Sequence, residues 1–139
     1  MAESDDGAIE GRCLCGASRL TVTGPFRAAI LCHCSQCRRA TGSAFNVAVP
    51  VAAAQVTWAA RDRVVEYESS PGKVRAHCAG CGAQLYSRYA ENPETLRLRG
   101  GILDDFHPAE VHHIFWTDRA AWFDRAADAP KWAGYVGEG

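Results

Sequence analysis

The sequence predicts a mainly β domain, an open sandwich or barrel with one or two short helices. Three observations carry that reading. Short runs of β-branched and aromatic residues recur between turn signals, several with period-two alternation. Only residues 35–41 and 120–126 look helical, each about two turns long. Finally, the cysteines fall in three tight groups, CLC, CHCSQC and CAGC, with none elsewhere, a spacing suited to metal ions that tie strands together.

In chain order, residues 18–23 (SRLTVT) put Leu20 and Val22 on one face and stop at Gly24-Pro25. Residues 27–31 lead into the cysteine-rich stretch ILCHCSQC. Runs at 45–51, 56–58 and 64–68 follow, the last ending at Ser69-Ser70-Pro71-Gly72, a strong turn signal. Residues 73–77 enter CAGCG and 85–89 leave it. Leu96 and Leu98 then alternate with Arg97 and Arg99 before Gly100-Gly101, and 111–116 (VHHIFW) closes the series. No domain boundary appears across residues 1–139, and the first few residues and the tail GYVGEG are expected to fray.

Charge excludes several function classes. Fifteen basic and sixteen acidic residues give a net charge of −1, so no global field draws the chain to nucleic acid or an anionic membrane. The acidic start MAESDDGAIEGR lacks the basic and apolar regions of a signal peptide. The longest apolar run, 47–54, is broken by Pro50 and is far shorter than the roughly 20 residues of a membrane span. These features predict a cytoplasmic protein. Seven cysteines, an odd number, fit a reducing compartment and metal ligation better than a disulfide framework.

CAGCG has the C-x-x-C-G form of a zinc knuckle, with Gly82 free to adopt the left-handed turn. One knuckle supplies two of four ligands, and CLCG is the natural partner. Residues i and i+2 of a regular strand stand about 7 Å apart, so Cys13-Leu14-Cys15 must bend to bring both sulfurs to one ion, helped by Gly16. Cys13, Cys15, Cys78 and Cys81 would close a structural site. Cys32, Cys34 and Cys37 remain, and three ligands leave a tetrahedral position open, the pattern of a catalytic zinc. Two alternatives stand beside this partition. His33, His77 or another protein group could complete the trio as a second structural site, or Cys78 and Cys81 could pair with two of the trio.

The order C-x-C, then C-x-C-x-x-C-R-R-x-x-G-x-x-F, then C-x-x-C-G resembles the glutathione-dependent formaldehyde-activating enzyme family, which includes centromere-protein-V-like domains. The matching residues are Cys13 to Gly16, Cys32 to Phe45 and Cys78 to Gly82, and HHIFWTDRAAWFD is similar to the family's closing segment. The resemblance spans about 9–132. It implies a β-tent fold, a structural zinc on Cys13, Cys15, Cys78 and Cys81, and a second, catalytic zinc on Cys32, Cys34 and Cys37. It also implies carbon–sulfur lyase chemistry, glutathione adding to formaldehyde to give S-(hydroxymethyl)glutathione. The expected partners are therefore a small thiol and a small aldehyde. A three-thiolate zinc suits a soft fourth ligand such as a substrate thiol.

Around the trio, Arg38 is a candidate for a substrate carboxylate, and Thr41, Gly42 and Ser43 are candidates to line the pocket. Phe45, Trp116 and Trp122 are expected to pack. His112 and His113 point to opposite faces of a strand, so they cannot readily share one ion. His113 is expected to be a buried, hydrogen-bonded histidine that would shuttle protons only if its face bordered the trio. Asp104, Asp105 and Asp118 are read as turn residues. The competing class is a binding or scaffold module, or an adduct carrier, in which both zincs only hold the fold. A thiol-based reductase would need a reactive cysteine apart from the ligands, and none follows Cys81.

Overall fold

A computed structural model describes residues 7–26 and 28–139. It is mainly β, with two open sheets and one α-helix. A three-stranded antiparallel sheet has the order β1 (Ala8–Arg12), β2 (Arg19–Thr23), β5 (Val56–Ala60). The larger sheet holds β3 (Ala28–Cys32), β4 (Asn46–Ala52), β6 (Val64–Ser70), β7 (Lys73–Cys78), β8 (Gln84–Tyr89), β9 (Asn92–Arg99) and β10 (Glu110–Ile114). Its order is β10-β3-β4-β9-β8-β7-β6, antiparallel except for the β10–β3 pair. Helix α1 (Ser35–Thr41) follows β3 directly.

Alternation builds the core between the sheets. Leu20 and Val22 of β2 face Val49 and Val51 of β4, Leu96 and Leu98 of β9, Leu85 and Tyr86 of β8, and Ala76 and Cys78 of β7. Phe26 and Leu103 close the cluster, all these side chains being at most 8% exposed. Burial at roughly 25 cal/mol per Å² of apolar surface makes this layer the main source of stability.

The predicted strands at 18–23, 45–51, 56–58, 64–68, 73–77 and 85–89 all occur, with ends moved by a residue or two. β1 is an addition that the sequence did not announce, since AIEGR has no clear alternation. The run at 27–31 becomes Ala28–Cys32, its first position lying outside the described residues, as do the first six residues of the chain. The strand expected to reach Trp116 stops at Ile114. Phe115 takes a left-handed conformation (φ 53°) and Trp116–Asp118 forms a 3-10 turn. The second helix, expected over 120–126, is a single 3-10 turn at Phe123–Arg125. The tail turns on itself, Glu138 donating its amide to the Tyr135 carbonyl at 2.9 Å, and it stays exposed. No helix among the described residues is long and apolar enough to cross a membrane.

At the β6 edge, Glu66 reaches over the small Ala76 of β7 to β8. It accepts hydrogen bonds from Tyr86 Oη at 2.6 Å and from Arg88 Nε and Nη2 at 2.9 and 2.8 Å. The Arg88 guanidinium, with help from the Tyr86 hydroxyl against desolvation, holds the carboxyl down at about 2. A carboxyl with a depressed folded pKa stabilises above its unfolded value of 4.5, and that contribution fades as pH falls toward 2. Glu66→Gln is expected to cost about 1 kcal/mol at pH 7, modest because the pair is partly solvated, with the gap to wild type closing in acid. Urea denaturation at pH 7 and pH 3 checks this, and an equal gap at both would refute it.

Gly100 marks a close approach behind β9. A β-carbon there would lie 2.6 Å from Val47 Cγ1. Gly100→Ala therefore forces β4 and the turn apart, with an expected loss of about 1–3 kcal/mol. An unchanged denaturation midpoint would contradict it.

Candidate metal centres

The seven thiols gather into two separate groups, and none forms a disulfide. In each group every sulfur lies within 4.8 Å of the others: Cys13, Cys15, Cys78 and Cys81 in one, Cys32, Cys34 and Cys37 in the other. The grouping that pairs Cys78 and Cys81 with the trio is not the one formed.

The four-cysteine group joins the turn between β1 and β2 to the turn between β7 and β8. Each turn is bent by a glycine with positive φ, Gly16 at 81° and Gly82 at 77°. Gly82 donates to the Cys78 carbonyl at 2.7 Å, and Gly16 donates to the Cys13 carbonyl at 3.3 Å. Amides also point at sulfur, from Ser18 to Cys13 Sγ and from Gly80 to Cys78 Sγ, both at 3.3 Å. Cys13 and Cys15 stand 3.6 Å apart and Cys15 and Cys78 3.8 Å. A tetrahedron with metal–sulfur bonds of about 2.3 Å has edges of about 3.8 Å, so this donor set fits a zinc-like ion. Cys13 and Cys78 are buried, which seals the group on its inner side.

The trio sits where β3 gives way to α1. Cys32 ends the strand. Cys34 is the helix N-cap, its sulfur accepting the Cys37 amide at 3.3 Å, and Cys37 lies in the first turn. Gly42, with φ 66°, ends the helix as its C-cap. Two more donors reach Cys37 Sγ: Asn46 Nδ2 at 3.9 Å and Arg75 Nη2 at 3.8 Å. Burial alone would raise the Cys37 thiol, but hydrogen bonds from Cys32, Cys34 and Arg75 outweigh it and the net direction is down. Burial pushes Cys32 up to about 12. Amide and guanidinium donors thus already favour negative charge on one sulfur of the set.

All three sulfurs border a cleft of about 450 Å³, which the four-cysteine group does not touch. Its floor is the face of the large sheet opposite the core, and a cross-strand row there runs Pro50, Arg97, Ser87, Arg75. Tyr89 stands beside it under two cations, with Lys73 Nζ 4.3 Å and Arg97 Cζ 4.8 Å from its ring centre. Ile114, at the end of β10, and Phe115 also line the cleft, and Asp118 supplies its one carboxylate among the described residues. Asp118, read as a turn residue, is therefore both a turn residue and a wall of the cleft.

The other nominated residues lie elsewhere. Arg38 turns back, its Nε donating to the His33 carbonyl at 3.3 Å, and it does not border the cleft. Thr41 and Ser43 bond each other at 2.8 Å beside a different, shallow depression, and Gly42 is exposed. Rotation about the helix turns Arg38 away from Cys37, while Thr41, on the same face as Cys37, lies one turn further along the axis, about 6 Å on. His113 is exposed rather than buried, and it bonds His33 through Nδ1 at 2.7 Å. Pairing opposite Cys32 puts Ile114 on the cleft side, so alternation turns His113 to the other face, away from the trio. His33, fully buried, joins Phe45, His113, Trp116 and Phe123 with ring centres 4.9–5.2 Å from its own. This aromatic group backs the trio, so Phe45 packs there and not in the main core. Trp122 is mostly exposed.

Nothing in the local sequence marks Lys73, Arg75 and Arg97 as site residues. The available signal was the alternation of Arg97 and Arg99 with two leucines, which put the cations on one face without showing that a cleft covers that face.

A crystal structure of a Rhodobacter sphaeroides protein is similar to this chain, with TM-score 0.60 and 24% identity over 75% of this chain and 98% of that one, a likeness of fold. The family model for glutathione-dependent formaldehyde-activating enzyme matches residues 8–119, a span that includes both cysteine groups and the cleft. With most of its length matched, the chain belongs to the glutathione-dependent formaldehyde-activating enzyme family.

Proposed function

We propose that this protein is a zinc-dependent, carbon–sulfur lyase-type enzyme of the cytoplasm that joins a thiol, glutathione by family, to formaldehyde or another small aldehyde. The observation that carries the reading is the contrast between the two cysteine groups. Four sulfurs complete one set away from this cleft, while three sulfurs border a cavity large enough for a small peptide thiol.

Cys13, Cys15, Cys78 and Cys81 would hold a structural Zn2+, and Cys32, Cys34 and Cys37 a second one. When bound at the trio, zinc supplies an open coordination position and the positive charge that favours a deprotonated substrate sulfur. The chain's own residues then set the geometry. α1 and β3 hold the three ligands on one side, so an incoming sulfur must approach from the cleft. Arg75 and Asn46 bond to Cys37 and draw charge from that ligand, which leaves the site more receptive to another thiolate. Ile114 and Phe115 cover the approach with apolar surface. In the reaction, the thiol's sulfur pair forms the C–S bond as the carbonyl π pair moves to oxygen. The oxygen gains a proton and the thiol's proton is released, giving the S-hydroxymethyl product with atoms balanced.

Metal analysis of the wild type and Cys37→Ser, with glutathione titrated into cobalt-substituted protein, tests the reading. Two zincs per chain are expected to fall to about one in the variant, and glutathione is expected to perturb the cobalt absorption only in the wild type. A cobalt spectrum indifferent to glutathione would leave a scaffold in which both ions only hold the fold. The two sites are also expected to differ in stability. Cys78→Ser opens the site that ties the sheets, and it is expected to abolish cooperative unfolding or cost at least about 3 kcal/mol, whereas Cys37→Ser costs distinctly less. Equal losses by thermal melt would contradict the division of labour.

A further inference from the structure

The cleft floor carries more positive charge than its surroundings use. Arg75 is 4% exposed, and its Nε bonds Ser69 Oγ at 3.0 Å and its Nη2 bonds Cys37 Sγ at 3.8 Å, but Nη1 is buried without a hydrogen-bond partner. Arg97 Nη1 is also buried without a partner. Behind them Arg99 is 6% exposed, with Nε and Nη2 in the same condition. A buried donor left unpaired costs about 1–3 kcal/mol, more when charged, so three such guanidinium groups in one place are an unusual arrangement for a protein that leaves them so.

Mutual repulsion adds to that cost. Burial and the neighbouring Arg97, Arg75 and Arg99 pull the Lys73 ammonium down to about 8, and burial with repulsion from Arg75 pulls Arg99 down to about 10. Neither loses its charge at pH 7. Thiolates at the trio offset only part of this: three thiolates on a dication leave a single negative charge, and Arg75 already bonds Cys37. Asp118 is the cleft's one carboxylate among the described residues, against the cations of Lys73, Arg75 and Arg97.

The spacing of these cations bears on what they could hold. Arg75 and Arg97 flank Ser87 in the cross-strand row, so their backbones stand two strand spacings, about 10 Å, apart. Tyr89 steadies Lys73 and Arg97 from the side by cation–π contact. Two long guanidinium side chains reaching across that gap can bracket one carboxylate, whose two oxygens suit paired N–H donors.

We infer that Arg75, Arg97 and Lys73 form a carboxylate-binding subsite on the floor of the cleft, which selects an anionic thiol over a neutral or cationic one. The assignment rests on the reading of this cleft as a thiol site and narrows the kind of thiol. It replaces Arg38 with cations that come from β7 and β9.

Isothermal titration of the full chain, as purified, with S-methylglutathione reads the subsite without a free thiol. The ligand is expected to bind, and its dimethyl ester, which lacks the carboxylate charges, to bind about tenfold or more weakly. Arg97→Gln is expected to lose about tenfold, with Arg97→Lys restoring part of the loss, while circular dichroism shows each variant folded. Glutarate, a dicarboxylate with no sulfur, is expected to displace the ligand. No binding, equal affinity for acid and ester, or an unchanged affinity in folded Arg97→Gln would each overturn the subsite. The S-methyl group prevents thiolate formation, so this result stands or falls apart from the cobalt test. A silent cobalt spectrum together with discrimination between acid and ester would remove the metal–thiol reading and leave the subsite.

Discussion

On β9, Leu96 and Leu98 enter the core while Arg97 and Arg99 go to the opposite face. β7 divides in the same way, with Val74 and Ala76 on one side and Lys73 and Arg75 on the other. Such a sheet can bury both faces only if each finds a different cover. The three-stranded sheet covers the apolar face. Helix α1, the trio and the turn at Trp116–Asp118 cover part of the cationic one, and their cover is incomplete. The cleft is the space left over, and it inherits its charge from strand alternation.

The two sulfur groups solve one local problem in different ways. Sulfurs two residues apart converge only if the backbone leaves the extended path. In the four-cysteine group the bends come from Gly16 and Gly82, whose lack of a β-carbon permits positive φ. In the trio the bend is the passage from strand to helix, where Cys34 serves as N-cap and satisfies a free helical amide with its own sulfur. The first solution brings in two distant turns and completes the set. The second uses one short segment, which has no fourth sulfur to offer. An open face toward the cleft therefore follows from making the site locally.

Arg75 links the halves of the site. Its guanidinium bonds Cys37 through Nη2, keeps Nη1 buried without a hydrogen-bond partner, and borders the cleft. A change of charge at the trio would therefore reach a guanidinium that lines the cleft. The aromatic group around His33 works from behind, holding the segment between Cys32 and Cys34 against Trp116 and Phe123. The His33 ring is held below its ordinary pKa chiefly by burial, which suits a neutral packing role.

The ligand groups were legible in the sequence because the spacing of the cysteines is itself a local geometric statement. C-x-x-C-G and C-x-C-G each bend over a few residues, and C-x-C-x-x-C passes from strand to helix within six. Alternation likewise marked most strands, and composition excluded a large field. What local pattern could not supply was the other wall. Whether Arg97 faces water or a cleft depends on what β4, β8 and α1 place over it, contacts between residues far apart in the chain. The same limit makes Arg38 a candidate in sequence, adjacent to the trio but rotated away by the helix, and His113 another, set on the face away from the cleft by its pairing with β3. Sequence alone determined which atoms could bind a metal, because those atoms are near neighbours along the chain. Only the tertiary structure decided what they face, because a cleft floor is assembled from strands whose pairing no single segment encodes.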